Sequence, residues 1–211
     1  RLIQYGLEQG CDRFIYASTM SVYGAVPDKA INEDQYPKPL SFYGVGKLAS
    51  EHYLRIYETR GLQSTAIRLF NVYGPGQNMS NLRQGMVSIY LAQLLKEEKV
   101  IVKGGKDRFR DFIYIDDVVD FTLKIMHDPK SHGGVYNLGT GVRTTVEDLL
   151  EKLVRLSGIS KEIVFSGGTP GDQKGIYADV SRIRTHFGFI PRYSLDKGLK
   201  EMINWAKGTK W

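Results

Sequence analysis

Two segments with the same grammar constrain the fold more than any other feature of the chain. Leu2, Ile3 and Leu7 recur at helical spacing, Gly10 stops that run, and "RFIYAS" follows as a nearly continuous apolar stretch. Such a stretch is typical of strands covered on both faces. The pattern then repeats, with a helix over about residues 45–59, a stop at Gly61, and "STAIRLF" as a second buried strand. This alternation predicts an α/β fold, with a parallel sheet carrying helices on both faces.

Beyond the Gly/Pro/Asn-rich loop "NVYGPGQN" the texture changes. A helix is expected over about 84–97. It is followed by "VIVKGGKDRFRDFIYI", two β-rich runs around a Gly-Gly turn that read as a hairpin. "DDVVDFTLKIMH" then reads as an amphipathic helix and "GVYNLGTG" as a buried strand with a Gly-rich exit. In "TTVEDLLEKLVRLSG" a capping box is expected, with Thr144 as cap, Glu147 reaching back and Gly158 ending the helix. The tail "SLDKGLKEMINWAK" is one more amphipathic helix.

Composition narrows the function. The 211 residues suffice for one large core or two modest ones. With 42% hydrophobic and 25% charged residues, no window approaches the roughly 18–20 apolar residues of a membrane-spanning helix, so no membrane partner is expected. The net charge of +6 comes from Lys and Arg scattered among acids. That argues against nucleic acid as a partner, while a small polyanion such as a nucleotide diphosphate fits. Cys11 is single and no signal peptide opens the chain, so a reducing cytoplasm is the expected compartment. The sequence starts without Met, inside what reads as a helix, and is expected to be a piece of a longer protein.

The chemistry concentrates in "RFIYASTMSVYG" and "SFYGVGKLASEHY". Tyr43 and Lys47 are four residues apart on the expected helix and share a face. An ammonium beside a phenol favours the phenolate, which makes it a usable base near neutral pH. Thr19 is expected at the C-terminal end of the first strand, the edge where open parallel sheets bind ligands. There its hydroxyl could share a substrate oxygen with Tyr43. A second Tyr-x-x-x-Lys, Tyr193 to Lys197, lacks an upstream buried strand ending in Ser/Thr and reads as a helix start with a solvated Lys.

Taken in order, "ASTMSVYG", "YGVGK", "RLFNVYGP", "FRDFIYIDDVV", "YNLGTG" and "PGDQKGIYAD" resemble the extended short-chain dehydrogenase/reductase superfamily. The similarity is greatest to nucleotide-sugar epimerases of the UDP-glucose 4-epimerase type and spans nearly the whole chain. It implies a partial Rossmann-like sheet plus a smaller mixed α/β substrate-binding domain. Residues 1–74 would form the C-terminal half of the dinucleotide-binding domain, with 112–140 packing back onto it. Residues 75–111 and 141–211 would form the substrate-binding domain.

The resemblance also implies roles. Tyr43 would be the catalytic acid/base, Lys47 would hold the cofactor ribose, and Thr19 would assist both catalysis and substrate binding. Tyr43, Lys47 and Phe70 would contact NAD. Tyr43 would take a sugar hydroxyl proton while a hydride passes to NAD, and return of the hydride to the opposite face of the ketose would invert the centre. A UDP-sugar is the favoured substrate. Asn71 and Arg110 are expected at its diphosphate, Asp172 at the nucleotide ribose, Lys103 near the base, and Asn81 and Arg83 in a covering loop. Arg suits phosphate because its planar fork donates two parallel bonds; alternatively, Arg110 could pair with Asp107 or Asp111.

Departures from the family pattern carry information as well. The acidic pair of dehydratases is replaced by Met20 and Ser21, which argues against water elimination. Thr169 stands where an Arg usually precedes "PGD", with Arg108 as a possible substitute. No Gly-rich strand-turn-helix for the cofactor pyrophosphate is present, so the chain alone is expected to bind NAD poorly and to be inactive. A nucleotide-sugar reductase, a decarboxylase and a non-catalytic sugar-nucleotide-binding scaffold are the competing readings. A homodimer is expected through the Tyr43-bearing helix, whose apolar residues cover more of its circumference than one core face requires.

Overall fold

A computed structural model describes residues 1–82, 85–168 and 174–211. Helix α1 (Leu2–Glu8) leads into β1 (Arg13–Thr19), a short 3₁₀ turn over Met20–Val22, α2 (Phe42–Glu58), β2 (Gln63–Leu69) and β3 (Asn71–Tyr73). Next come α3 (Met86–Lys96), β4 (Lys99–Lys103), β5 (Phe109–Arg110), β6 (Phe112–Tyr114) and α4 (Ile115–Met126). The chain continues through β7 (Gly134–Leu138), β8 (Thr144–Thr145), α5 (Val146–Ser157), β9 (Glu162–Ser166), β10 (Gly175–Ile176), α6 (Ser181–Phe187) and α7 (Leu195–Gly208).

The expected parallel sheet is present as β1-β2-β7. Alternation along β2 sends Ser64 and Arg68 toward α2, where each hydrogen-bonds a helix carboxylate, Glu58 and Glu51 respectively. Ile67 faces the other way, into a cluster with Phe121 and Ile125 of α4 and with Tyr136 and Leu138 of β7. Helices therefore cover both faces. Among the described residues, no helix is long and apolar enough to cross a membrane. A second core, around Tyr73, Leu91, Val102, Leu149 and Met202, joins α3, α5 and α7 to short strands.

Three local expectations need correction. Helix α2 begins at Phe42, three residues before the expected start, with the Ser41 hydroxyl accepting from Gly44 N–H at 3.1 Å. Gly44 and Gly46 weaken the helical signal there. Gly44 is required because a Cβ at this position would lie 2.6 Å from the Ser21 carbonyl oxygen. The capping box falls one residue later than expected, on Thr145 and Asp148, whose side chain and backbone groups satisfy each other. Thr144 instead lies in the ladder opposite Arg110.

The hairpin around Gly104–Gly105 does not form. Strand β4 pairs in parallel with β9, while β5 pairs with β10 and β8. A Gly-Gly turn tells where a chain bends, and Gly104 does adopt φ +90°. It does not dictate that the two arms remain neighbours, and here the β4 ladder is continued by Gly104 N–H donating to Ser166 O.

Candidate active site

The end of β1 with the 3₁₀ turn that follows it and the first turns of α2 are held together at three successive levels. Gly44 sits against the Ser21 carbonyl. Lys47 Nζ donates to Ala17 O at 2.7 Å, and the Ser18 hydroxyl donates to Glu51 Oε1 at 2.5 Å. The Lys47 ammonium lies 5.6 Å from the centre of the Tyr43 ring and 4.9 Å from that of Tyr16. Tyr43 is 54% exposed, so its ring is open to a ligand. Thr19 is buried at the strand end and its hydroxyl accepts from Ser21 N–H at 3.2 Å, capping the 3₁₀ turn. Tyr43 and Lys47 therefore share a helix face as expected, and the turn that Thr19 caps abuts the start of that helix.

Behind this edge lies a buried polar network. Arg68 forms a two-pronged ion pair with Glu51, at 3.1 Å from Nε and 2.7 Å from Nη2. It also donates to the Tyr23 hydroxyl at 3.0 Å, which in turn donates to Asn137 Oδ1 at 2.6 Å. Burial pushes the Tyr23 phenol up to about 12, so it serves as a neutral relay. Burial disfavours the Arg68 charge, but the Glu51 hydrogen bond and the surrounding charges outweigh it and raise its pKa. This network is not among the features expected from the sequence. Its signals were an Arg set between the apolar Ile67 and Leu69, and a Glu four residues beyond Lys47 on the same helix stripe.

Thr19 pairs with Leu69 in the ladder, two positions before Asn71. Asn71 is the first of the residues lining a cleft of about 640 Å³, together with Tyr90, Gln93, Lys103, Arg108 and Arg110. That volume lies in the range of small-molecule sites. The lining carries three cations, Lys103, Arg108 and Arg110, and no carboxylate among the described residues. Asn71 Oδ1 is buried without a hydrogen-bond partner among the described residues, a costly state for a polar atom unless a ligand supplies a donor. Arg110 is buried, and its Nη1 donates to Phe109 O at 2.7 Å. Asp111 directs its carboxylate to Thr140 and to the Gly141 and Ala178 amides. Burial nevertheless pushes its pKa upward.

Of the other expected site residues, Asn81 adjoins Leu82 at the cleft rim. Phe70 is buried in a cluster with Val22, Tyr23, Ile31 and Ile176. Arg83 and Asp172 lie outside the described residues.

Comparison with known proteins converges on one family. The model for the NAD dependent epimerase/dehydratase family matches residues 1–139. The chain is 29% identical over 200 residues to a protein of Methanocaldococcus jannaschii described as a putative UDP-glucose 4-epimerase, covering 94% of the chain and 64% of that protein. It is also 29% identical to the dTDP-4-dehydro-6-deoxyglucose reductase of Escherichia coli, covering 93% of the chain and 62% of the enzyme. The crystal structure of UDP-glucose 4-epimerase from Thermotoga maritima with UDP-glucose superposes with a TM-score of 0.93 at 33% identity, covering 98% of the chain and 67% of that structure. The chain thus spans a little under two thirds of the length of these two relatives. With its Rossmann-type sheet and a family cofactor of NAD, the chain belongs to the NAD dependent epimerase/dehydratase family.

Proposed function

We propose that this chain supplies the proton-transfer pair and the sugar-nucleotide cleft of a nucleotide-sugar 4-epimerase acting on UDP-glucose or UDP-galactose. The observation that carries the reading is the adjacency of two features at one sheet edge. Thr19, next to the Tyr43–Lys47 helix, pairs with Leu69, two residues before Asn71; Asn71 lines a cationic cleft that carries no carboxylate among the described residues, and its Oδ1 has no partner among them. A diphosphate would meet Arg110 and its neighbouring cations, which bear opposite charge and donate only. Residues 1–74 and 112–140 would form the cofactor-binding side and the remainder the sugar-nucleotide side.

NAD, when bound, supplies the hydride acceptor. The residues present fit its ribose side, since an ammonium has three N–H donors and Lys47 commits one to Ala17 O. Tyr43 would withdraw the proton from the sugar hydroxyl and later return it, with the Lys47 ammonium 5.6 Å from the centre of its ring favouring the phenolate form. Thr19 would hold the same sugar oxygen. Ser21, in a position held by an acid in dehydratases, exchanges hydrogen bonds with Thr19 through its backbone and hydroxyl, and Met20 packs against an apolar cluster. Neither side chain can expel water by acid–base catalysis.

Titration calorimetry of this chain with UDP-glucose tests the cleft. Binding is expected, and Arg110→Ala should weaken it by about 10–100-fold, the loss of one charge-assisted contact. Absence of heat with the unmodified chain would overturn the assignment. Turnover is expected only in a protein that also carries a pyrophosphate-binding Gly-rich turn. Similarity to a dTDP-sugar reductase favours one second reading, reduction of a keto sugar. That reaction would consume reduced cofactor stoichiometrically, whereas epimerisation leaves its level unchanged.

The outer face of α2 exposes Phe42 (98%), Val45 (53%), Tyr53 (59%) and Ile56 (55%). Spaced along one helix, these suit a second copy of the chain. Sedimentation equilibrium should give twice the monomer mass, and Tyr53→Glu should return the monomer.

A further inference from the structure

Helix α2 carries Tyr43 and Lys47, yet its hold on the sheet is unusual. Of its seventeen residues only Gly44, Glu51 and Leu54 are buried. Gly44 contributes contact without a side chain, and one of the other two is a charged residue. A surface helix normally docks through an apolar stripe. This one lies on a strand face that offers Ser18, Ser64 and Arg68. Apolar packing is tolerant of sliding, because its energy is non-directional. Hydrogen bonds to a carboxylate fix both distance and angle.

We infer that Glu51 is a positioning residue: clamped between the Ser18 hydroxyl and the Arg68 guanidinium, it sets the register of the Tyr43–Lys47 helix against the strand that ends in Thr19. The inference rests on the epimerase reading for its purpose, and on geometry alone for its content. Ser18 precedes Thr19 directly, and Glu51 follows Lys47 by one turn. The Ser18–Glu51 bond therefore ties together the two elements whose separation decides whether Thr19 and Tyr43 can reach one substrate oxygen. Arg68 is held in turn by Tyr23 and Asn137, so the clamp is anchored across all three strands of the sheet.

A purely structural ion pair and a positioning clamp make different predictions when both charges are removed. Replacing a buried pair by apolar residues of similar volume is often neutral or stabilising, so Glu51→Met with Arg68→Met should fold with a melting temperature within a few degrees of the parent. If Glu51 sets register, this stable double variant should nevertheless lose the nuclear Overhauser contacts from the Lys47 ε-methylene to the Tyr16 and Tyr43 rings. The amide resonances of residues 42–50 should shift while those of α7 stay in place. A second variant, Ser18→Ala, leaves the ion pair intact and should shift the same residues even if the double variant fails to fold. In an active enzyme the double variant should lower kcat by about 100-fold with KM nearly unchanged, as expected for misplacement on the order of 1 Å.

Retention of the Lys47 contacts and of the 42–50 resonances in the folded double variant or in Ser18→Ala would overturn the inference. The spectra require neither sugar nor cofactor. Failure of the unmodified enzyme to epimerise would therefore remove the functional reading alone, and unchanged spectra would remove the positioning role alone.

Discussion

A Tyr43→Phe substitution is expected to lower epimerase turnover by about 10²–10⁴-fold, the range associated with loss of a positioned acid–base group, with KM little altered. Tyr43 is half exposed beside Lys47, and its hydroxyl makes no contribution to the buried core. The variant should therefore keep its fold and its affinity for UDP-glucose. Conversion of UDP-glucose to UDP-galactose, followed by NMR of the sugar anomeric protons, provides the measurement. Turnover equal to that of the parent would take Tyr43 out of the reaction. A Lys47→Met variant should lose activity as well, but it also removes the bond to Ala17 O, so it separates the two roles less cleanly.

The largest expected effect on stability belongs to Arg68→Ala. Arg68 and Glu51 are each about 5% exposed and paired at 2.7 Å. Removing one partner leaves the other charge buried without compensation, at a cost of about 3–5 kcal/mol. The Tyr23 hydroxyl loses a donor at the same time. For a chain of this size the melting temperature should fall by on the order of 10 °C. Urea denaturation at constant pH gives the same quantity independently, and a loss below about 1 kcal/mol would mean that water reaches the pair.

The parallel sheet was legible in the sequence because its signals are local and redundant. Gly10 and Gly61 each end a helix just before an apolar run, and both runs became adjacent strands. The face shared by Tyr43 and Lys47 was equally legible, since it follows from helical spacing. What escaped were pairings between distant segments. Nothing within "VIVKGG" states that Val100 will lie opposite Ile163, so the turn reads as a hairpin. The start of α2 was hidden by Gly44, whose reason lies in the neighbouring Ser21 carbonyl rather than in the helix itself. Glu51 escaped because a buried carboxylate becomes recognisable only once its cation is known to face it.

The β4–β9 and β5–β10 pairings have a further consequence for how the protein is made. The strands bearing Lys103 and Arg110 emerge from the ribosome well before Glu162–Ser166 and Gly175–Ile176, the partners that complete their ladders. During synthesis Val100 and Val102 must wait with open strand edges, a state prone to association with other nascent chains. Such sequence-distant pairing also slows folding. Shielding by a chaperone until residues 162–176 have been translated would therefore benefit the cleft more than the β1–α2–β2 unit.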